Sequence, residues 1–185
     1  LDKPSIAVMP FTNLSADPQQ EYFTDGIVEG IITALSRVPK LFVIASDSTF
    51  TYKDKAVTVE QVSEDLGVRY LLKGSVAKAG NRARINTQLI DVFTGHHLWA
   101  QQYDRTLDDI FAVQDEIIKK IITFMQVELT EGEQILASDK GTDNLEAYLK
   151  QLQALYKISK FDIENNALAK QLAEEAIALD PHRVE

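Results

Sequence analysis

The sequence predicts a mixed α/β (α+β) fold, in which a βαβαβββα domain is followed by an all-α helical-repeat hairpin. Three observations support this prediction. Apolar runs alternate with amphipathic helical patterns in the first part of the chain, which is typical of parallel strands joined by helices. Three strand-like segments then follow one another across short polar turns, which indicates an antiparallel meander. Two further amphipathic helical patterns complete the 185-residue sequence.

The first strand and helix are marked by proline and by capping residues. Residues 5–9, "SIAVM", form an apolar run that Pro10 interrupts. Asp17 suits the N-cap of the next helix, Pro18 its first position, and Gln20 completes a capping-box spacing. Apolar residues then recur along one helical face: Phe23, Ile27, Ile31, Leu35 and Val38.

A second strand and a second helix follow. Residues 41–45, "LFVIA", read as a buried strand. The segment 58–67 reads as a helix, because Thr58 and Gln61 have capping-box spacing and Gly67 suits the exit. Since helices connect the first three strands, we expect those strands to be parallel.

The meander begins at residue 68. Segments 68–79 and 82–92 are joined by the dipeptide Gly-Asn, a hairpin signal, and 94–105 supplies a third strand. From Leu107 onward a long amphipathic helix is predicted. Polar composition marks 132–143 as a linker, so we predict a domain at 1–131 and a helix pair at 144–185.

Composition excludes several function classes. The formal net charge of −9 argues against a general nucleic-acid or anionic-membrane binder. The absence of cysteine excludes disulfides, zinc-thiolate sites and thiol catalysis. No apolar run approaches the roughly 20 residues that span a bilayer, so no direct membrane insertion is expected. Because the sequence starts with Leu1 and no signal peptide, we expect a segment of a longer protein.

The acidic stretch 13–27, "NLSADPQQEYFTDGI", is the first candidate site. One interpretation is an anion or metal site at a helix N-terminus. The favoured one is structural: Asp17 caps, Glu21 complements the helix dipole, and Asp25 and Glu29 face solvent. A glycine-rich phosphate loop is excluded, because no glycine lies between Phe11 and Asp25.

Two glycines lie on the same face of this first helix. Gly26 and Gly30 are four residues apart, so they share one side of the predicted helix. We expect them to allow close packing on the sheet.

A ligand site, if there is one, is expected beyond the carboxyl ends of the parallel strands, where open α/β sheets bind ligands. The candidates there follow strands one and two: Phe11, Asn13, Ser46, Ser48, Thr49 and Tyr52.

A protein-docking patch is the other candidate surface. Its residues are cations on an otherwise acidic chain: Lys78, Arg82 and Arg84, with Lys73 nearby.

No catalytic, metal or cofactor site is predicted. His96 and His97 are adjacent in a predicted strand, so they point to opposite faces and are poorly placed to share a metal. Asp104 and Asp109 lie at the entry to the long helix, where capping explains them. We therefore expect a non-catalytic interaction or regulatory module, with a small-molecule sensor as the alternative.

The residues also resemble a known family. The segment from "SIAVMPFTNLSADPQQEYFTDGIVEG" to "QLIDVFTGHHLWAQQYDR" resembles the TolB amino-terminal-like module of bacterial class III adenylate/guanylate cyclases fused to tetratricopeptide repeats. The match covers about 3–129. The segment "LAKQLAEEAIALDP" resembles the second helix of such a repeat, with Ala169, Ala176 and Pro181 at its small-residue and proline positions.

The resemblance implies a parent protein whose catalytic domain lies outside this chain. It implies a cytoplasmic location, or a periplasmic one if a membrane span lies upstream. The same module type occurs in CadC-like transmembrane transcription regulators, so a sensor of that kind is a further alternative. The resemblance also implies protein partners. A homodimer is one candidate assembly, because class III cyclases work as dimers.

Overall fold

A six-stranded mixed sheet organises the computed structural model, which describes residues 3–125, 144–158 and 163–181. The strands run in the order β3-β1-β4-β5-β6, with β2 beside β4. They are β1 (Ser5–Val8), β2 (Thr12–Asn13), β3 (Phe42–Val43), β4 (Tyr70–Ala79), β5 (Arg82–Asp91) and β6 (His96–Thr106). The strand β1 is parallel to β3 and β4, whereas β4, β5 and β6 are antiparallel. This confirms the predicted mixed sheet.

Six helices accompany the sheet in the described ranges: α1 (Glu21–Ser36), α2 (Ser46–Phe50), α3 (Val59–Leu66), α4 (Ile110–Phe124), α5 (Leu145–Ile158) and α6 (Ile163–Leu179). Local signals set their ends. A 3₁₀ turn at Pro18–Gln20 leads into α1, and the Asp17 side chain accepts from Gln19 N, as predicted. Thr58 and Gln61 form the predicted capping box of α3, which ends at Gly67 with φ of 63°.

The sheet buries its two faces unequally. The main core lies between one face and the helices α1 and α4, and it holds fully buried residues such as Ile27, Leu72 and Ile117. A smaller core under α3 covers part of the other face: Ala7, Met9, Val62, Val68 and Leu71. The rest of that second face is polar and exposed in β5, as is usual for antiparallel sheets.

The strands β1 and β2 are one strand path interrupted at Pro10. Both pair with β4, with Ile6 opposite Tyr70 and Thr12 opposite Ser75. At the interruption the Phe11 ring packs beneath Gly74, where a Cβ would lie 2.7 Å from the ring. Gly74 is therefore required by a close approach inside a strand.

The second predicted strand is shorter than expected. Only Phe42–Val43 is a strand, and the last sheet hydrogen bond runs from Ile44 N to Ile6 O. Ala45 then takes an extended conformation as the N-cap of α2, a helix that was not predicted. The small polar residues of 46–49 favour such a turn over continued pairing.

The helices α5 and α6 pack against each other. Asn144 caps α5 by accepting from Ala147 N, and its amide donates to Leu179 O at 3.2 Å. Lys150 and Glu175 form an ion pair between the two helices at 2.5 Å. The predicted linker 132–143 lies outside the described residues, so the boundaries at 131 and 144 stay predictions. No helix in the described ranges combines the length and apolarity needed to cross a bilayer.

Candidate functional site

The segment 46–54, here called the strap, follows the carboxyl end of the parallel strand β3, and its Phe50 and Tyr52 pack on the cores on opposite faces of the sheet. It contains α2 and ends at Asp54, whose φ of 61° is the only positive value at a non-glycine residue among those described. Thr49 is fully buried, and its hydroxyl donates to Ser46 O at 3.2 Å. The strap therefore covers the edge of the sheet where α/β proteins commonly bind ligands.

Three carboxylates on α1 lie against the strap. Glu21, Asp25 and Glu29 are spaced four residues apart, which places them along one side of the helix. The Lys53 ammonium lies 2.6 Å from Glu21 Oε1 and 2.6 Å from Asp25 Oδ2. The Asp25 side chain is only 16% exposed. The prediction that Asp25 and Glu29 face solvent was therefore wrong, because the strap covers this side of α1.

The electrostatics of this cluster are balanced by Lys53. Burial alone would lower the pKa of Lys53, but its hydrogen bonds to Asp25 and Glu21 outweigh burial and raise that pKa. Burial raises the pKa of Glu29, a hydrogen bond with Ser46 opposes this, and the nearby charges of Asp47 and Asp25 add to the rise. The cluster is thus arranged as an ion-paired contact between α1 and the strap.

The residues predicted for ligand binding fall into two groups. Ser46, Ser48, Thr49 and Tyr52 share the strap, where the Tyr52 hydroxyl donates to Asp65 of α3 at 3.0 Å. Phe11 lies in the main core at 2% exposure, and the side-chain oxygen Oδ1 of Asn13 accepts from Ser15 N within its own turn. A binding role for these six residues stays a prediction.

A second contact lies on another side of α1, at Gly26 and Gly30. A Cβ on Gly26 would lie 2.6 Å from Leu152 Cδ2 of α5, and one on Gly30 would lie 2.9 Å from Gln114 Nε2 of α4. The expectation that these glycines pack on the sheet was wrong: they form a groove that receives α5. We call this surface the glycine groove.

Tyr148 of α5 fixes the helix in the glycine groove. Gln114 Nε2 donates to the Tyr148 hydroxyl at 3.0 Å, and that hydroxyl donates to Gly26 O at 3.4 Å. The Phe111 ring meets the Tyr148 ring edge-on with centroids 4.9 Å apart. Burial raises the pKa of Tyr148 to about 12, so the phenol is neutral and able to donate.

The basic residues do not form one patch. Lys78 pairs with Ala83, whose side chain lies in the main core, and the Lys78 ammonium lies 5.7 Å from the Phe23 ring centroid. Arg82 and Arg84 lie on the opposite, open face, where both bind Asp104, at 2.5 and 3.0 Å. Successive strand residues alternate between faces, so the structure separates Lys78 from the two arginines.

Lys53, Gln114 and Tyr148 were not predicted as site residues. The partners of Lys53 are 28 or more positions away in sequence. One signal was available for it: three carboxylates at helical spacing require a cation when they are covered. In the described ranges, no group of three or more His, Asp or Glu side chains is arranged to hold a metal ion.

The chain resembles solved structures in fold. It matches TolB from Acinetobacter baumannii with a TM-score of 0.50 and 17% identity, over 66% of this chain and 28% of that one. A weaker likeness is to the LpoB C-terminal domain from Salmonella enterica, with a TM-score of 0.46 and 17% identity over 57% of this chain and 84% of that one. The TolB match confirms the expected TolB-like fold.

Comparisons of sequence identify more similar proteins than the comparison of folds does. The chain is 49% identical over 179 residues to a protein named putative adenylate cyclase 3 from Rhizobium meliloti (strain 1021), covering 97% of this chain. It spans 30% of that relative's length. The model of the HilA/YgeH-like transcriptional regulator family, second domain, matches residues 2–120. This chain therefore belongs to the family of HilA/YgeH-like transcriptional regulator second domains.

Proposed function

We propose that this chain is a non-catalytic regulatory and protein-interaction module of a larger signalling protein. The supporting observation is that one module matches two kinds of protein with different outputs. It matches the second domain of transcriptional regulators, and it matches 30% of a protein named as a putative adenylate cyclase. A module that occurs with two different output domains is expected to control the activity of the output domain in each protein.

The parent protein that we propose is an adenylate or guanylate cyclase whose catalytic domain lies outside this chain. The module itself carries no cofactor and acts in the cytoplasm. We propose that α5 and α6 begin a tetratricopeptide-like array that binds protein partners. Ala169 and Ala176 are 1% and 0% exposed, which fits the small-residue positions of such a repeat.

The test uses the Rhizobium meliloti relative in full length, a form lacking the region that matches this chain, and the isolated chain. Each is incubated with ATP and Mg²⁺ or Mn²⁺, and cyclic AMP is measured. We expect no product from the isolated chain, product from the full-length relative, and an altered rate when the region is removed. Cyclic AMP from the isolated chain would overturn the proposal, and an unchanged rate after removal would contradict a regulatory role.

A second candidate function is small-molecule sensing by the strap. The observation in its favour is that the strap covers the carboxyl end of β3 and is held by side chains that a ligand could displace, namely Lys53 and Tyr52. A thermal-shift screen with nucleotides and cell-wall fragments tests it. We expect a sensing strap to give a shift that Tyr52→Phe reduces, and no shift with any compound would count against sensing.

A further inference from the structure

The helix α1 presents three different sides to its surroundings. Its apolar side, with Phe23, Ile27 and Ile31, is fully buried in the main core. Its acidic side, from Glu21 to Glu29, meets the strap. Its glycine side, at Gly26 and Gly30, meets α5. Three sides of the first part of this helix thus contact different parts of the chain.

The contacts with the strap and with α5 alternate along the same two turns of helix. Asp25 binds Lys53 of the strap, and the next residue, Gly26, accepts from Tyr148 of α5. Glu29 meets Ser46 of the strap, and the next residue, Gly30, meets Gln114 and Tyr148. A shift of α1 that lengthens one set of contacts therefore changes the other set.

Both contact sets tolerate little displacement. Lys53 binds two carboxylates at 2.6 Å, so a shift of about 1 Å between α1 and the Lys53 ammonium would lengthen both contacts beyond hydrogen-bond distance and weaken them. In the glycine groove, Leu152 occupies the volume that a side chain on Gly26 would fill. Close-packed contacts of this kind transmit strain because they have few alternative arrangements.

We infer that α1 couples the strap to the helix pair, so that loosening either contact loosens the other. A ligand that displaced the strap would change the docking of α5, and a protein bound to the helix pair would change the strap. This inference concerns the stability of two contacts and does not depend on which output domain the module controls. Coupling between two sites is reciprocal, so it can be measured from both ends.

Amide hydrogen exchange on the whole chain tests the inference. In the Lys53→Met variant we expect α5 amides to exchange at least about fivefold faster relative to β5 amides, which report global opening. In the Leu152→Ala variant we expect the strap amides to exchange faster by a similar factor. The reciprocal measurement keeps the test decisive if one variant folds poorly.

The matched control is Asp104→Asn, which removes a charged partner of Arg82 and Arg84 on the opposite face of the sheet. It is expected to leave both the α5 and the strap amides unchanged relative to β5. Unchanged α5 exchange in a folded Lys53→Met variant, or unchanged strap exchange in a folded Leu152→Ala variant, would overturn the inference, because coupling is reciprocal. An equal acceleration of α5 in Asp104→Asn would also overturn it, because the effect would then be global.

Discussion

Replacing Gly26 with alanine should destabilise the protein, although alanine is the better helix former. In an open helix interior, Gly→Ala is expected to stabilise by about 0.8–1.0 kcal/mol. Here the new Cβ would lie 2.6 and 2.8 Å from Cδ2 and Cγ of Leu152, well inside the usual carbon–carbon contact of about 3.5 Å. Overpacking of this kind costs about 1–3 kcal/mol, so a net loss of about 1 kcal/mol is expected.

The assay is thermal and urea unfolding of four chains: the native chain, Gly26→Ala, Leu152→Ala and the double variant. A loss of about 1 kcal/mol corresponds to a fall in Tm of about 2–4 °C for a chain of this size. In the Leu152→Ala background the clashing atoms are gone, so Gly26→Ala should raise stability by about 0.5–1 kcal/mol. If Gly26→Ala stabilises both backgrounds equally, α5 does not occupy the glycine groove and the reasoning fails.

Three further predictions concern titratable or buried polar groups. Glu29→Gln should raise Tm at pH 7 and not at pH 4, because the raised pKa of Glu29 means that its ionisation opposes folding as pH rises. Calorimetry at the two pH values measures both changes in Tm. Arg69→Met should lower Tm at pH 7, by a margin that shrinks as pH falls through the lowered pKa of Asp91. Burial opposes that lowering, but hydrogen bonds from Arg69 outweigh it; a pH-independent loss would contradict the pairing. Tyr103→Phe should stabilise the chain by up to about 1 kcal/mol in urea unfolding. The buried hydroxyl has no partner among the described residues, and burial raises the pKa of Tyr103 to about 12. A clear loss of stability would refute this prediction.

Local signals were sufficient for the helix ends and the meander. Asp17, Thr58 and Gly67 act within a few residues of themselves, so their roles can be read from sequence. The Gly80-Asn81 turn also fixes the register of β4 and β5, and it places Lys78 opposite Ala83. The separation of Lys78 from the arginines could therefore have been predicted by applying that register.

The two contacts of α1 could not be predicted in the same way. Glycines at helical spacing indicate close packing but do not identify what packs there, and Tyr148 lies 122 residues from its acceptor at Gly26. The exposure of Asp25 and Glu29 depends on the strap, whose Lys53 and Ser46 find partners on α1. Long-range pairings of this kind are decided by tertiary packing and leave little trace in local patterns.

The pairing of β1 with β4 has a consequence for biosynthesis. The amide of Arg69, just before β4, donates to the Ser5 hydroxyl across 64 positions of sequence, whereas β4, β5 and β6 are joined by short turns. Short-range hairpins close quickly and distant parallel pairing closes slowly. The strand β1 is therefore synthesised well before β4, and until β4 is made its apolar residues lack that partner, which makes the nascent chain more prone to aggregation.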